Sequence, residues 1–182
     1  MCRGEDTPTY GNERIYFIMK TLYYGGQKSG KSLLAEQKSL SLAGDEKPYY
    51  IATYDNSYDD TEMEERIETH KTQRKDTFIL IEEPMALSKI IEPHKTYLID
   101  CMSMWLLNTI DSKEYDIFDT LDTLALIEAN IVFVLNDVSS GVIPLDALSR
   151  KYVDRSGVVG QKLAQLCDEV YEVKLGLEIK LK

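Results

Sequence analysis

The chain has 182 residues, 43% of them hydrophobic, enough for one domain with a sizeable core. Its net charge of −10 argues against a nucleic-acid or membrane-surface binder, because polyanions would be repelled, and no apolar run approaches the roughly 18 residues that cross a bilayer. Three cysteines, Cys2, Cys101 and Cys167, lack CxxC or metal-ligand spacing, and the odd number suits a reducing cytoplasm.

Residues 1–18 carry Pro8 and Gly11 and show no periodicity or long apolar core. They are read as a disordered extension without a secretory signal. Met19 is an alternative start, and 19–182 a single domain. Residues 20–24 predict a short strand. A glycine-rich loop follows, and then 32–42, whose Leu, Ala, Glu, Gln and Lys favour a helix. Residues 48–53 predict a second strand and 61–74 a helix, opened by the capping box of Thr61 and Glu64. Strands are expected at 78–82 and 96–100, and helices at 101–109 and 115–128. The nearly continuous apolar run 130–135 reads as a strand buried on both faces. Residues 145–166 predict a helix with a break near Ser156 and Gly157, and 169–174 with 177–181 a closing hairpin around Gly176. Strand–helix alternation implies a mostly parallel α/β sheet flanked by helices, with ligands beyond the carboxyl ends of the strands.

The loop Gly25, Gly26, Gln27, Lys28, Ser29, Gly30, Lys31, Ser32 fits G-x-x-x-x-G-K-S/T, the P-loop that wraps nucleoside-triphosphate phosphates. Glycines let successive N–H groups turn toward phosphate oxygens. Lys31 would reach the β- and γ-phosphates, and Ser32 would place its hydroxyl on Mg²⁺ arriving with the nucleotide. Asp100 ends an apolar strand, where a P-loop protein keeps an acid for Mg²⁺. The same position suits a helix N-cap, and both roles are compatible.

Arg66, His70 and Arg74 recur every four residues and share one helical face. Arginine forks grip phosphates, and neighbouring positive charge favours the neutral imidazole able to attack phosphorus. By spacing alone, a solvated helix with an incidental histidine is the favoured reading. His94 follows Pro93 in a turn. Residues 136–144, with Gly141 and Pro144, form a polar loop after the most apolar strand and suit a ligand loop. Arg150, Lys151, Asp154 and Arg155 read as ordinary charged helix surface.

In this order, these segments resemble the bifunctional adenosylcobinamide kinase/adenosylcobinamide-phosphate guanylyltransferase family of cobalamin biosynthesis. The similarity covers nearly all of 20–182. Its GG-x-R/K-SGKS opening resembles 25–32, and its YIAT strand resembles Tyr50 to Thr53. D-x-E-M-x-x-R-I-x-x-H is similar to Asp60 to His70, and the EEP after a downstream arginine to Glu82, Glu83 and Pro84 after Arg74. D-C-x-S/T-x-W-x-x-N is similar to Asp100 to Asn108, and the last block to Asn136 to Gln161. Thr69 stands where the family often has a second histidine, and Gly160 where it commonly has asparagine.

The resemblance implies a RecA-like P-loop NTPase fold, a cytoplasmic homotrimer and two reactions. One moves the γ-phosphate of ATP or GTP to adenosylcobinamide. The other carries GMP from GTP on a histidine to adenosylcobinamide phosphate, releasing pyrophosphate. The matching histidine is His70, which reverses the reading from spacing. Arg66, Arg74, Glu82 and Asp100 join the P-loop as expected nucleotide contacts, with Ser32 and Asp100 on Mg²⁺.

Overall fold

A computed structural model of the protein describes residues 18–54, 76–141 and 143–182. Strand β1, Lys20–Gly25, runs through the interior of a seven-stranded sheet. Its neighbours are both parallel to it, β5 (Asn130–Asn136) on one side and β6 (Glu169–Lys174) on the other. Beyond β5 lie β4 (Thr96–Asp100), β2 (Tyr49–Ala52) and, at the edge, β3 (Ile79–Glu82). β7 (Leu177–Lys180) forms the opposite edge, antiparallel to β6. In the resulting order, β3-β2-β4-β5-β1-β6-β7, β5 separates the P-loop strand from the strand that ends in Asp100. This is the RecA-like P-loop arrangement.

The apolar run of β5 serves two cores. Ile131, Phe133 and Leu135 join one buried cluster, while Val132 and Val134 join the other. Helix α1 (Lys31–Ala43) covers the second face through Ala35, beside Tyr23, Tyr50 and Phe78. The first face packs against α3 (Met102–Thr109), α4 (Ile117–Leu126) and α5 (Ala147–Leu166), through Trp105, Leu121 and Leu163. A one-turn helix, α2 (Leu87–Ile90), buries Leu87 in the same cluster.

Local chemistry sets the helix ends. Asp116 accepts hydrogen bonds from the Phe118 and Asp119 N–H groups at 2.8 and 2.9 Å, so α4 starts two residues later than the apolar pattern predicts. Asp146 caps α5 by accepting from Ser149 N–H at 2.7 Å. The expected break near Ser156 and Gly157 is absent, and α5 is continuous. Ser156, Val159 and Leu163 are buried at helical spacing, and their burial outweighs the roughly 1 kcal/mol that a mid-helix glycine costs. The hairpin forms as predicted, with Leu175 and Gly176 as its two central residues.

Candidate active site

The P-loop lies at the carboxyl end of β1 and runs straight into α1. Gly25 is required sterically, because a Cβ there would stand 2.4 Å from the Val173 carbonyl oxygen on β6. Gly30 closes the loop at φ +100. Lys28, at φ 55, also takes the left-handed conformation, and Ser29 N–H donates to the Gly26 carbonyl at 3.2 Å. The Lys31 ammonium donates to that carbonyl at 3.0 Å, folding back over the loop it belongs to. Burial pulls its pKa down, opposed by the nearby Asp100 carboxylate. Ser29 Oγ is buried with no hydrogen-bond partner, a state that costs about 1–3 kcal/mol.

Asp100 and Glu82 end their strands at the same rung, since both are opposite Ala52. Asp100 Oδ2 accepts a 2.7 Å hydrogen bond from the Tyr50 hydroxyl. Asp100 does not cap α3: the capping position belongs to Cys101, whose side chain makes no cap bond. The Cys101 thiol is pushed up to about 11 by burial, with Asp100 adding to the effect, so it is protonated at neutral pH and is not a nucleophile.

The segment from Asp100 to Asn108 ties several loops together. Thr53 Oγ1 donates to the Cys101 carbonyl at 2.7 Å and accepts from Cys101 N–H at 3.1 Å. Ser103 Oγ accepts from Asn136 N–H at 2.9 Å, and Trp105 Nε1 donates to the Met85 carbonyl at 2.9 Å. Asn108 Nδ2 donates to the carbonyls of Thr53 and Pro84 at 2.8 and 3.0 Å. One helix therefore fixes the loops after β2 and β3 and the end of β5. Sequence reasoning gave Tyr50, Thr53, Ser103, Trp105 and Asn108 no role, although the motif blocks that carry them were visible.

The loop after β5 meets the P-loop directly, with Asp137 N–H donating to the Gly25 carbonyl at 2.8 Å. The Asp137 carboxylate accepts from Ser139 N–H, Ser139 Oγ and Ser140 N–H. Burial alone would raise its pKa, but hydrogen bonds from Ser140, Tyr24 and Ser139 outweigh that and hold it well below the ordinary range.

The expected helix 61–74, with Arg66, His70 and Arg74, lies outside the described residues. His94 sits just before β4, at the end of the parallel sheet opposite the P-loop, with its N–H on the Glu128 carbonyl at 2.7 Å. Arg150 donates to the Pro144 and Leu145 carbonyls at 3.0 and 2.6 Å, Lys151 pairs with Asp111, and Arg155 lies over the Phe118 ring. Arg150, Lys151, Asp154 and Arg155 are all exposed, and the plainer sequence reading expects ordinary charged helix surface there. Among the described residues, no three His, Cys, Asp or Glu side chains gather as a metal-binding group. A hydroxyl and a carboxylate, from Ser32 and Asp100, are hard oxygen donors that fit Mg²⁺ bound together with a phosphate chain.

The family model CobU, cobinamide kinase / cobinamide phosphate guanyltransferase, matches residues 21–181. A Pseudomonas aeruginosa protein named bifunctional adenosylcobalamin biosynthesis protein CobP is 35% identical over 173 residues, covering 90% of this chain and 98% of the relative. Proteins named bifunctional adenosylcobalamin biosynthesis protein CobU are similar over 90% of the chain and all of their own length: 30% identical in Escherichia coli and 32% in Salmonella typhimurium. A P-loop after β1, an acid ending β4 two strands away, and a family model that matches residues 21–181 leave one assignment: the chain belongs to the cobinamide kinase / cobinamide phosphate guanyltransferase family.

Proposed function

We propose that this chain catalyses both reactions of its family on a corrinoid substrate. It first phosphorylates adenosylcobinamide with ATP or GTP, and then converts the phosphate to adenosylcobinamide-GDP with GTP. The observation that carries this reading is the P-loop, with Lys31 buried and folded onto the Gly26 carbonyl and with Asp100 ending β4 at the same carboxyl edge of the sheet.

In the first reaction the substrate hydroxyl oxygen bonds to the γ-phosphorus and gives up its proton to solvent, and the bridging oxygen leaves with ADP or GDP. The P-loop N–H groups hold the phosphates in line, and Lys31 exchanges the Gly26 carbonyl for phosphate oxygens as charge moves onto the leaving group. Ser32 and Asp100 would hold Mg²⁺, which when bound neutralises phosphate charge. Tyr50 keeps the Asp100 carboxylate in place.

In the second reaction a ring nitrogen of His70 bonds to the α-phosphorus of GTP, and pyrophosphate leaves. A phosphate oxygen of adenosylcobinamide phosphate then displaces the imidazole and takes the GMP. Covalent capture divides one displacement into two. Arg66 and Arg74 clamp the phosphates of this GTP, and Glu82 adds a nucleotide contact. The enzyme acts as a cytoplasmic homotrimer. The family resemblance supports this, and no helix among the described residues is long and apolar enough to cross a membrane.

Incubation with Mg²⁺ and GTP labelled at the α-phosphorus tests the reading. The expected result is an acid-labile, alkali-stable label on the protein that disappears in His70→Ala, while Lys31→Ala lowers corrinoid phosphorylation at least about 100-fold, the scale of losing one transition-state charge contact. Absence of any labelled protein would overturn the transferase half, and unchanged kinase turnover in Lys31→Ala would overturn the P-loop assignment.

A further inference from the structure

The β6–β7 turn leans on the P-loop. Gly176 N–H donates to the Ser29 carbonyl at 2.8 Å, and a Cβ on Gly30 would lie 3.1 Å from Gly176 Cα. In a planar trans peptide the C=O and the following N–H point in opposite directions. Pinning the Ser29 carbonyl to the turn therefore aims the Gly30 N–H away from the hairpin. The hairpin itself is anchored at its base, where Glu169 accepts from Lys38 of α1 at 2.6 Å and from Lys180 of β7 at 2.8 Å.

The residue that this turn presents is unexpected. Leu175 and Gly176, at φ 56 and 78, are the central pair of a two-residue hairpin loop, which calls for Asn, Asp or Gly at both positions. Leucine in the left-handed region is strained, and this side chain is also 90% exposed. The fold alone would be better served by asparagine. An outlier that costs both backbone strain and apolar exposure, one residue from a P-loop contact, is the kind that marks a ligand clamp. Leu177, Ile179 and Leu181 are exposed too, but the first two lie along the edge strand β7 and Leu181 just past its end, and only Leu175 shares the turn that touches the P-loop.

We propose that Leu175 is the apolar platform on which the purine base of the P-loop nucleotide rests. This rests on the function proposed above. The P-loop binds the phosphates through N–H groups and one lysine, so the base must emerge over the loop's rim. Base faces are apolar, and binding pockets cover them with apolar side chains. A leucine side chain offers no hydrogen bond, so it holds adenine and guanine alike and suits an enzyme that takes either triphosphate at this site.

Calorimetric titration of the full chain, with Mg²⁺ present, tests the platform with ATP, GTP and inorganic tripolyphosphate. Leu175→Asn relieves the strain and removes the apolar face, and Leu181→Asn serves as an exposed control at the far end of the hairpin. The expected result is an affinity loss of about fivefold or more for both ATP and GTP in Leu175→Asn, the scale of losing part of a buried leucine. Tripolyphosphate affinity should stay within about twofold and the melting temperature should not fall, because asparagine tolerates the left-handed region. Leu181→Asn should bind all three as wild type does. Unchanged ATP and GTP affinity in Leu175→Asn would overturn the platform, whether or not the assembly state changed. An equal loss of tripolyphosphate would overturn it too, assigning the turn to phosphate binding alone. Failure of the wild-type chain to bind either nucleotide would instead overturn the proposed function, and the platform with it.

Discussion

Asp100 owes its orientation to Tyr50, which reaches it from the neighbouring strand β2. Nothing in the local sequence around either residue signals that bond, since fifty positions separate the two. The acid itself is legible, as a charge ending an apolar strand, and so is Lys31, because a P-loop lysine is defined by its local spacing. Asn108 is the opposite case. An asparagine in the last turn of a helix looks unremarkable in sequence, yet its one amide nitrogen serves two carbonyls, on Thr53 and Pro84. Asn108→Ala leaves both without that donor and is expected to cost about 1–3 kcal/mol of unfolding free energy. Urea denaturation followed by circular dichroism measures it, and a loss below about 0.5 kcal/mol would show that water replaces the amide.

Among the elements, α5 shows how burial overrides propensity. Ser156 followed by Gly157 suggests a broken helix to anyone reading 145–166 locally, whereas the face formed by Ser156, Val159 and Leu163 needs one continuous helix against the sheet. The two glycines of α5 have different standing. A Cβ on Gly157 would meet nothing within 4 Å, while one on Gly160 would meet Leu135 Cδ2 at 3.3 Å. Gly157→Ala is therefore expected to stabilise the protein by about 0.5–1 kcal/mol, with Gly160→Ala gaining less. A Gly157→Ala midpoint in urea no higher than that of wild type would contradict the first of these. The one-turn helix α2 left no sequence signal, because four residues are too few for a helical period. The hairpin was legible for the reverse reason: alternation over two short strands and a glycine between them are local features.

For the molecule as a whole, one carboxylate helps close the sheet onto α1. Glu169 on β6 is hydrogen-bonded first by Lys180 of β7 and then by Lys38 of α1, and its pKa is lowered from 4.5 to about 2. A depressed folded-state pKa means that this stabilisation is complete above the unfolded value and is lost as pH falls through the folded one. Unfolding free energy should therefore decline as pH drops from 4.5 toward about 2, with Asp137 acting in the same direction. Denaturation measured at stepped pH should show a shallower decline in Glu169→Gln, and an identical slope would remove Glu169 from the account.

By itself, the sequence determined what depends on neighbours in the chain. That includes the strand–loop–helix P-loop, the doubly buried β5, the parallel alternation and the closing hairpin, since backbone geometry and hydrophobic period act over a few residues. The motif blocks were enough to suggest the family. Tertiary structure alone decided which groups meet at the carboxyl edge of the sheet: Tyr50 on Asp100, Asn108 across two loops, and the Leu175–Gly176 turn against the P-loop. Those contacts join residues from 24 positions apart, Pro84 and Asn108, to 147 apart, Ser29 and Gly176. Only closing the sheet, with its order β3-β2-β4-β5-β1-β6-β7, brings them within hydrogen-bonding reach.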